Sequence, residues 1–222
     1  MKVIITGVTG MVGKSVLLEC LKNDQVEKVL AVTRAALDLE HPKLEQLIHA
    51  DFLDLSAVKA SLSGYDAIFH CMGISVVGKT EEEYSKFTYE LTAHWADTLY
   101  ELNPQMVFSY VSGTGSDSSE KGRVMWARVK GRAENYVLNK GFKDAYAVRL
   151  GGLIPAPGIR SRTGWINILL VVFRPFFGLM KNMKSMTTSE NIGKAMINSA
   201  RFPQEKKHLQ NPDINALAKA HE

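Results

Sequence analysis

A β-branched run, Lys2-Val3-Ile4-Ile5-Thr6, passes directly into Gly7-Val8-Thr9-Gly10-Met11-Val12-Gly13 and then into a helix-period segment. Glycines at these three positions suit chemistry in which the main chain, not a side chain, meets an anion. Gly7 and Gly10 permit a tight turn and close approach of backbone N–H groups to a pyrophosphate, and the following helix N-terminus adds a favourable dipole. Gly13 lets that helix pack near the strand. Many tight strand-to-helix turns use glycine triplets. Here the strand, the spacing, the helix and a second strand together point to a dinucleotide held by residues 7–13.

Downstream residues refine that reading. The second strand ends in Thr33-Arg34-Ala35-Ala36, with a cation where a carboxylate would otherwise face a ribose 2′-hydroxyl. A guanidinium fits a 2′-phosphate, so Arg34 predicts NADP(H) rather than NAD(H) as the cofactor. Asp51-Phe52 follows the third strand, where Asp51 either accepts from an adenine amine or caps a loop. At the fourth strand end, Cys71-Met72-Gly73 should border the cofactor, with Gly73 allowing close backbone approach. His70 reads as a core histidine. Neither it nor His41, His49, His94, His208 or His221 has metal-ligand spacing, so no metal is expected. Ser112 closes the fifth strand, among Ser109, Ser116, Ser118 and Ser119. Trp126 and Lys130 lie four apart and share a helix face. On their types alone they read as a core tryptophan beside a snorkelling lysine.

Such residues must be held by alternating elements. Candidate strands are Lys2–Thr6, Lys28–Thr33, Leu47–His49, Ala67–Cys71, Met106–Val111 and Ala145–Leu150, with helix-period segments between them. That alternation predicts right-handed βαβ units around a parallel sheet. The first helix repeats Val12, Val16, Leu17, Cys20 and Leu21; the longest carries Tyr84, Phe87, Leu91, Trp95, Leu99 and Leu102 as a core stripe, ending before Asn103-Pro104. After the sixth strand, Gly151-Gly152, Pro155, Pro157 and Gly158 mark a loop that opens a substrate-facing lobe over 151–190. Thr187-Thr188-Ser189-Glu190 starts a last helix, and the tail from Gln204 is expected to be loosely held.

The chain has 222 residues, 45% of them hydrophobic, enough for a single domain, residues 1–222, with a core that needs no disulfide or metal. Two cysteines, Cys20 and Cys71, and the absence of an apolar signal region predict a reduced, cytoplasmic protein. A net charge of +4 without a concentrated patch argues against nucleic acid. The stretch Trp165–Met180 is too short to span a bilayer and reads as a buried or lobe-packing helix. Between Asp144 and Glu190 there is no acid, while Arg149, Arg160, Arg162, Arg174, Lys181 and Lys184 all fall there. A cationic surface there would attract an anionic substrate, an acidic protein or an anionic membrane.

Gly7–Gly13, Arg34, Asp51-Phe52, Cys71-Met72-Gly73, Ser112-Gly113-Thr114 and Lys130-Gly131 together resemble the atypical short-chain dehydrogenase/reductases. The nearest group is the nucleoside-diphosphate-sugar epimerase-like one that includes the Tat-interacting-protein type of oxidoreductase. The resemblance runs from Lys2 to about Ala200 and implies a doubly wound parallel Rossmann sheet flanked by helices, with a small C-terminal substrate lobe. It also implies a catalytic set of a strand-end Ser, a Tyr and a Lys: Ser112 matches the first and Lys130 the last, while Trp126 stands at the tyrosine position. Lys130 would then orient the nicotinamide ribose and Ser112 would polarise a carbonyl. An indole N–H cannot take the tyrosine's part as acid or base, leaving water, Ser112 or Tyr110 as the proton donor. The implied function is an NADP(H)-dependent oxidoreductase or epimerase-like enzyme acting on a small carbonyl or nucleotide-sugar-like substrate. The alternative is a catalytically weak, NADP(H)-sensing regulator. A third reading, docking of a membrane or protein on Trp165–Phe177, ranks below a core or homodimer-packing helix.

Overall fold

Val, Ile and Ala runs buried on both faces form the central strands, the pattern of a parallel sheet covered by helices on each side. The computed structural model describes residues 1–159, 164, 171–181 and 183–220. Six strands appear where alternation places them: β1 (Lys2–Thr6), β2 (Lys28–Thr33), β3 (Leu44–Ile48), β4 (Ala67–His70), β5 (Val107–Gly113) and β6 (Asp144–Leu150). Short strands β7 (Gly152–Ile154) and β8 (Met186–Thr188) pair with each other, and β9 (His208–Gln210) joins the main sheet. The seven-stranded order is β3-β2-β1-β4-β5-β6-β9, every pair parallel. This is the doubly wound Rossmann arrangement, with its crevice at the switch between β1 and β4.

Alternate residues of β1 feed two cores. Val3 and Ile5 face Val16, Leu17, Ile192 and Met196, whereas Ile4 faces Trp95, Leu99 and Phe108. The first core packs α1 (Met11–Lys22). The second packs a π turn over Lys86–Glu90, α3 (Leu91–Leu102) and α4 (Met125–Leu138), with α2 (Glu81–Ser85) lying against α4. After the short α5 (Phe177–Met180), α6 (Ser189–Arg201) and α7 (Asn211–Lys219) complete the first side.

Two expectations are corrected. The third strand starts at Leu44, not Leu47, because Gln46, with its Leu37 and Leu39 backbone partners, is part of the ladder. The tail from Gln204 is ordered, not loose: Leu209 pairs with Val148, and Ile214 and Leu217 are buried. Of the stretch Trp165–Met180, read as a buried or lobe-packing helix, Val171, Val172, Phe173 and Phe176 are exposed on the single chain, and residues 165–170 lie outside the described ones. Among the described residues no helix is long and apolar enough to cross a membrane.

Candidate active site

The turn after β1 is shaped by the main chain. Gly7 sits at φ +70°, and a Cβ there would lie 2.5 Å from the Cys71 carbonyl oxygen. A Cβ on Gly13 would lie 2.2 Å from the Gly7 carbonyl oxygen, so α1 and β1 meet backbone to backbone. Gly10 N–H donates to the Gly7 carbonyl at 2.9 Å, closing the turn. No side chain caps α1 and no acid lies in its first turn, which leaves the positive helix end open to an anion.

In front of that turn lies a cavity of about 320 Å³ at the carboxyl ends of the strands. Nine of the expected cofactor residues line it: Gly7, Thr9, Gly10, Arg34, Asp51, Phe52, Cys71, Met72 and Gly73. Met11, Val12 and Gly13 form the helix start behind the turn, and Lys130 stands apart from this cavity. Arg34 is exposed and makes no hydrogen bond or ion pair among the described residues. Asp51 uses one carboxylate oxygen to accept from Leu53 N–H at 2.9 Å, the loop role. Phe52 is fixed by Trp95, whose indole N–H donates to the Phe52 carbonyl at 3.2 Å. Burial pushes the Cys71 thiol well up, which makes it an unreactive wall. A Cβ on Gly73 would meet nothing within 4 Å, so the protein itself does not require glycine there. Phe87 and Leu91 also line the cavity; sequence reasoning assigned both to the core, and only the π turn, which no local residue announces, brings Phe87 to the rim.

Deeper along β5 lies the second group. Ser112, almost fully buried, has its hydroxyl 2.9 Å from that of Ser116, which itself donates to the Gly113 carbonyl at 2.9 Å. Trp126, on the first turn of α4, lays its benzo edge over the loop after β5, 3.4 Å from a Cβ built on Gly115. The residue at the tyrosine position therefore packs on the glycines that follow Ser112, Gly113 and Gly115. One turn on, Lys130 places its ammonium 5.6 Å from the centre of the Tyr110 ring. It has no hydrogen-bond partner among the described residues. Burial pulls its pKa down to about 8, with Glu134 acting in the opposite sense. His70, below it, is fully buried, with Thr6 at 3.2 Å and Thr92 at 3.4 Å on its two ring nitrogens. Burial first, then the Lys130 charge, holds it neutral with a pKa of about 3. It is a satisfied core histidine.

The acid-free interval is less free in space than in sequence. Arg149 binds Glu134 through two guanidinium nitrogens at 2.6–3.1 Å, and Glu134 is fully buried. Lys181 and Lys184 are exposed; Arg160 and Arg162 lie outside the described residues. No cluster of three or more potential metal ligands exists among the described residues.

Comparison with known proteins agrees with this architecture. No curated protein matches the sequence. Among solved structures, MoeE5 in complex with UDP-glucose and NAD superposes with a TM-score of 0.69 at 16% identity, covering 94% of this chain and 75% of that one. UDP-glucuronic acid 4-epimerase from Bacillus cereus, in complex with UDP-glucuronic acid and NAD, gives 0.65 at 15% identity, covering 94% and 76%. Uronate dehydrogenase from Agrobacterium tumefaciens gives 0.66 at 17% identity, covering 94% and 75%. At these identities the likeness is one of fold. The sequence of residues 3–120 matches the NAD dependent epimerase/dehydratase family, and the chain belongs to that family.

Proposed function

We propose that this protein binds NADP(H) in the cavity at the β1–β4 switch and carries out hydride transfer on a small carbonyl or nucleotide-sugar-like substrate. The observation that carries the NADP(H) reading is Arg34: an exposed guanidinium at the cavity rim, unpaired among the described residues, at a strand end that offers no carboxylate. The donor set fits the group. The Gly7–Gly10 turn and the open α1 terminus would take the diphosphate, and Asp51 and Phe52 the adenosine. When bound, the nicotinamide supplies or accepts the hydride. Ser112 would polarise the substrate oxygen, and Lys130 would hold the ribose and its neighbourhood cationic. Titration of the protein with NADPH and NADH by fluorescence tests this. Arg34→Ala should weaken NADPH by about tenfold to a hundredfold, the worth of charge-assisted hydrogen bonds, and leave NADH nearly unchanged. Preference of the wild type for NADH would sink the assignment.

A second reading rests on Trp126. Its indole packs over Gly113 and Gly115 and has no proton to exchange where the resemblance implies a phenol, which supports a protein that holds NADP(H) without turning it over. Incubating the NADPH-loaded protein with a panel of small aldehydes, ketones and quinones separates the two: no oxidation of NADPH across the panel favours the regulator.

A further inference from the structure

Resting on the dinucleotide reading above, we infer that Phe87 is the ring on which the adenine of the cofactor stacks, delivered to the cavity by the π turn. Burial at that turn is inverted. Phe87 is 43% exposed, while its neighbour Thr88 is 3% exposed and takes the core position four residues after Tyr84 and four before Thr92. For the fold alone the reverse is favourable, since a phenylalanine gains far more from leaving water than a threonine does. Tyr84, Phe87, Leu91 and Trp95 have the spacing of one α stripe, which would turn Phe87 to the core. In the wider π turn the residue four on stays over its predecessor, and the residue three on swings off that face. The displaced ring meets no other ring and stands outside the core cluster that Met72, Leu91 and Trp95 join.

Phe87 lines the same cavity as Arg34, Asp51 and Phe52, the residues that the dinucleotide reading gives to the adenosine. The two groups are physically joined. The π turn runs straight into α3, where Leu91 also lines the cavity and Trp95 donates its indole N–H to the Phe52 carbonyl at 3.2 Å. The Phe52 ring stands edge-on to that indole, 6.1 Å between centres and 82° between planes, so its position is set by α3 as well. Phe52, Leu91 and Phe87 thus give this cavity an apolar lining beside the Arg34 cation. A purine carrying a phosphorylated ribose matches that combination: flat apolar faces for the rings, a polar edge for Asp51 and an anion for the guanidinium. The 2′-phosphate belongs to the adenosine half of NADP(H), so its capture by Arg34 brings adenine, not nicotinamide, to these side chains. Stacking the base on a ring left in water recovers the burial that the π turn forgoes.

Calorimetric titration of the full chain with NADPH and with adenosine 2′,5′-bisphosphate, its adenosine half, tests the assignment without any turnover. Phe87→Ala should weaken both ligands by the same factor, about tenfold to a hundredfold, the worth of one base–aromatic stack. Phe87→Trp, which keeps a flat ring, should restore both affinities, and the emission of the added indole should be quenched when the bisphosphate binds. The unliganded Phe87→Ala protein should melt with the wild type, because the ring it removes lies outside the core. Unchanged affinities in Phe87→Ala, a loss for NADPH larger than that for the bisphosphate, or no recovery in Phe87→Trp overturns the stacking role alone. A lower melting temperature of unliganded Phe87→Ala would show a structural role for the ring and overturns it too. A wild type that binds neither ligand overturns the dinucleotide reading and this inference with it.

Discussion

A glycine can be required by the protein's own backbone or only border open space that a ligand would enter. Gly13 and Gly73 are such a pair. A methyl on Gly13 meets the Gly7 carbonyl, its carbon and the Val8 nitrogen at 2.2–2.9 Å, all backbone atoms with no flexible end to swing aside. Gly13→Ala must therefore push α1 off β1, at a cost of about 1–3 kcal/mol for overpacking. For a chain of this size the expected loss in Tm is about 2–4 °C per kcal/mol. Gly73→Ala, with nothing within 4 Å, should leave Tm unchanged, so any loss of dinucleotide affinity there reports the ligand's own approach. Equal drops in Tm for the two variants would refute this distinction. Gly131, noticed only through its place beside Lys130, has an equally physical reason: a Cβ would lie 1.8 Å from the Asp117 carbonyl oxygen.

Among elements, the strands buried on both faces could be read almost to the residue, because continuous Val-Ile-Ala runs admit few other structures. Edge and interrupted elements could not. β3 has Glu45 and Ile48 facing solvent and so lacks an apolar run. The helix expected to carry one stripe from Tyr84 to Leu102 contains a π turn at Lys86–Glu90, where no Gly or Pro announces it. Helix α4 makes a prediction of its own. It carries Lys130 to a place where burial penalises its charge and where it has no hydrogen-bond or ion-pair partner among the described residues. The sign follows from linkage: a lysine whose folded pKa is lowered binds its proton less tightly in the folded state. The folded state is therefore penalised in full below about pH 8, and the penalty fades as pH rises to the ordinary lysine value. Lys130→Met should raise Tm by a few degrees at neutral pH, with the gain shrinking towards alkaline pH. A variant that melts lower than wild type at neutral pH would show that the ammonium has a stabilising partner.

On the scale of the whole molecule, what the linear sequence hid was pairing between distant segments. Arg149 looked like one cation of an acid-free interval, but its partner Glu134 lies on α4, outside that interval in sequence and against it in space. The tail reads as loosely held in sequence, yet its three-residue β9 closes the sheet beside β6, and His208 brings its imidazole to 3.5 Å from Glu134. Asn211, at the start of α7, accepts from Gly151 N–H and donates to the Gly152 carbonyl, tying the tail to β7. Glu134 is thus the buried carboxylate on which α4, β6 and β9 converge, on the helix that also carries Trp126 and Lys130. Removing one member of a buried ion pair leaves the other charge uncompensated, so Glu134→Ala should destabilise the protein by about 3–5 kcal/mol. Arg149→Met in the Glu134→Ala background removes the stranded cation and should restore much of that loss, since an apolar replacement of a buried pair is often neutral. Urea unfolding of the wild type, both single variants and the double variant gives the coupling directly. Losses that simply add would mean that the two side chains do not stabilise each other and that α4 is held in place by its apolar face alone.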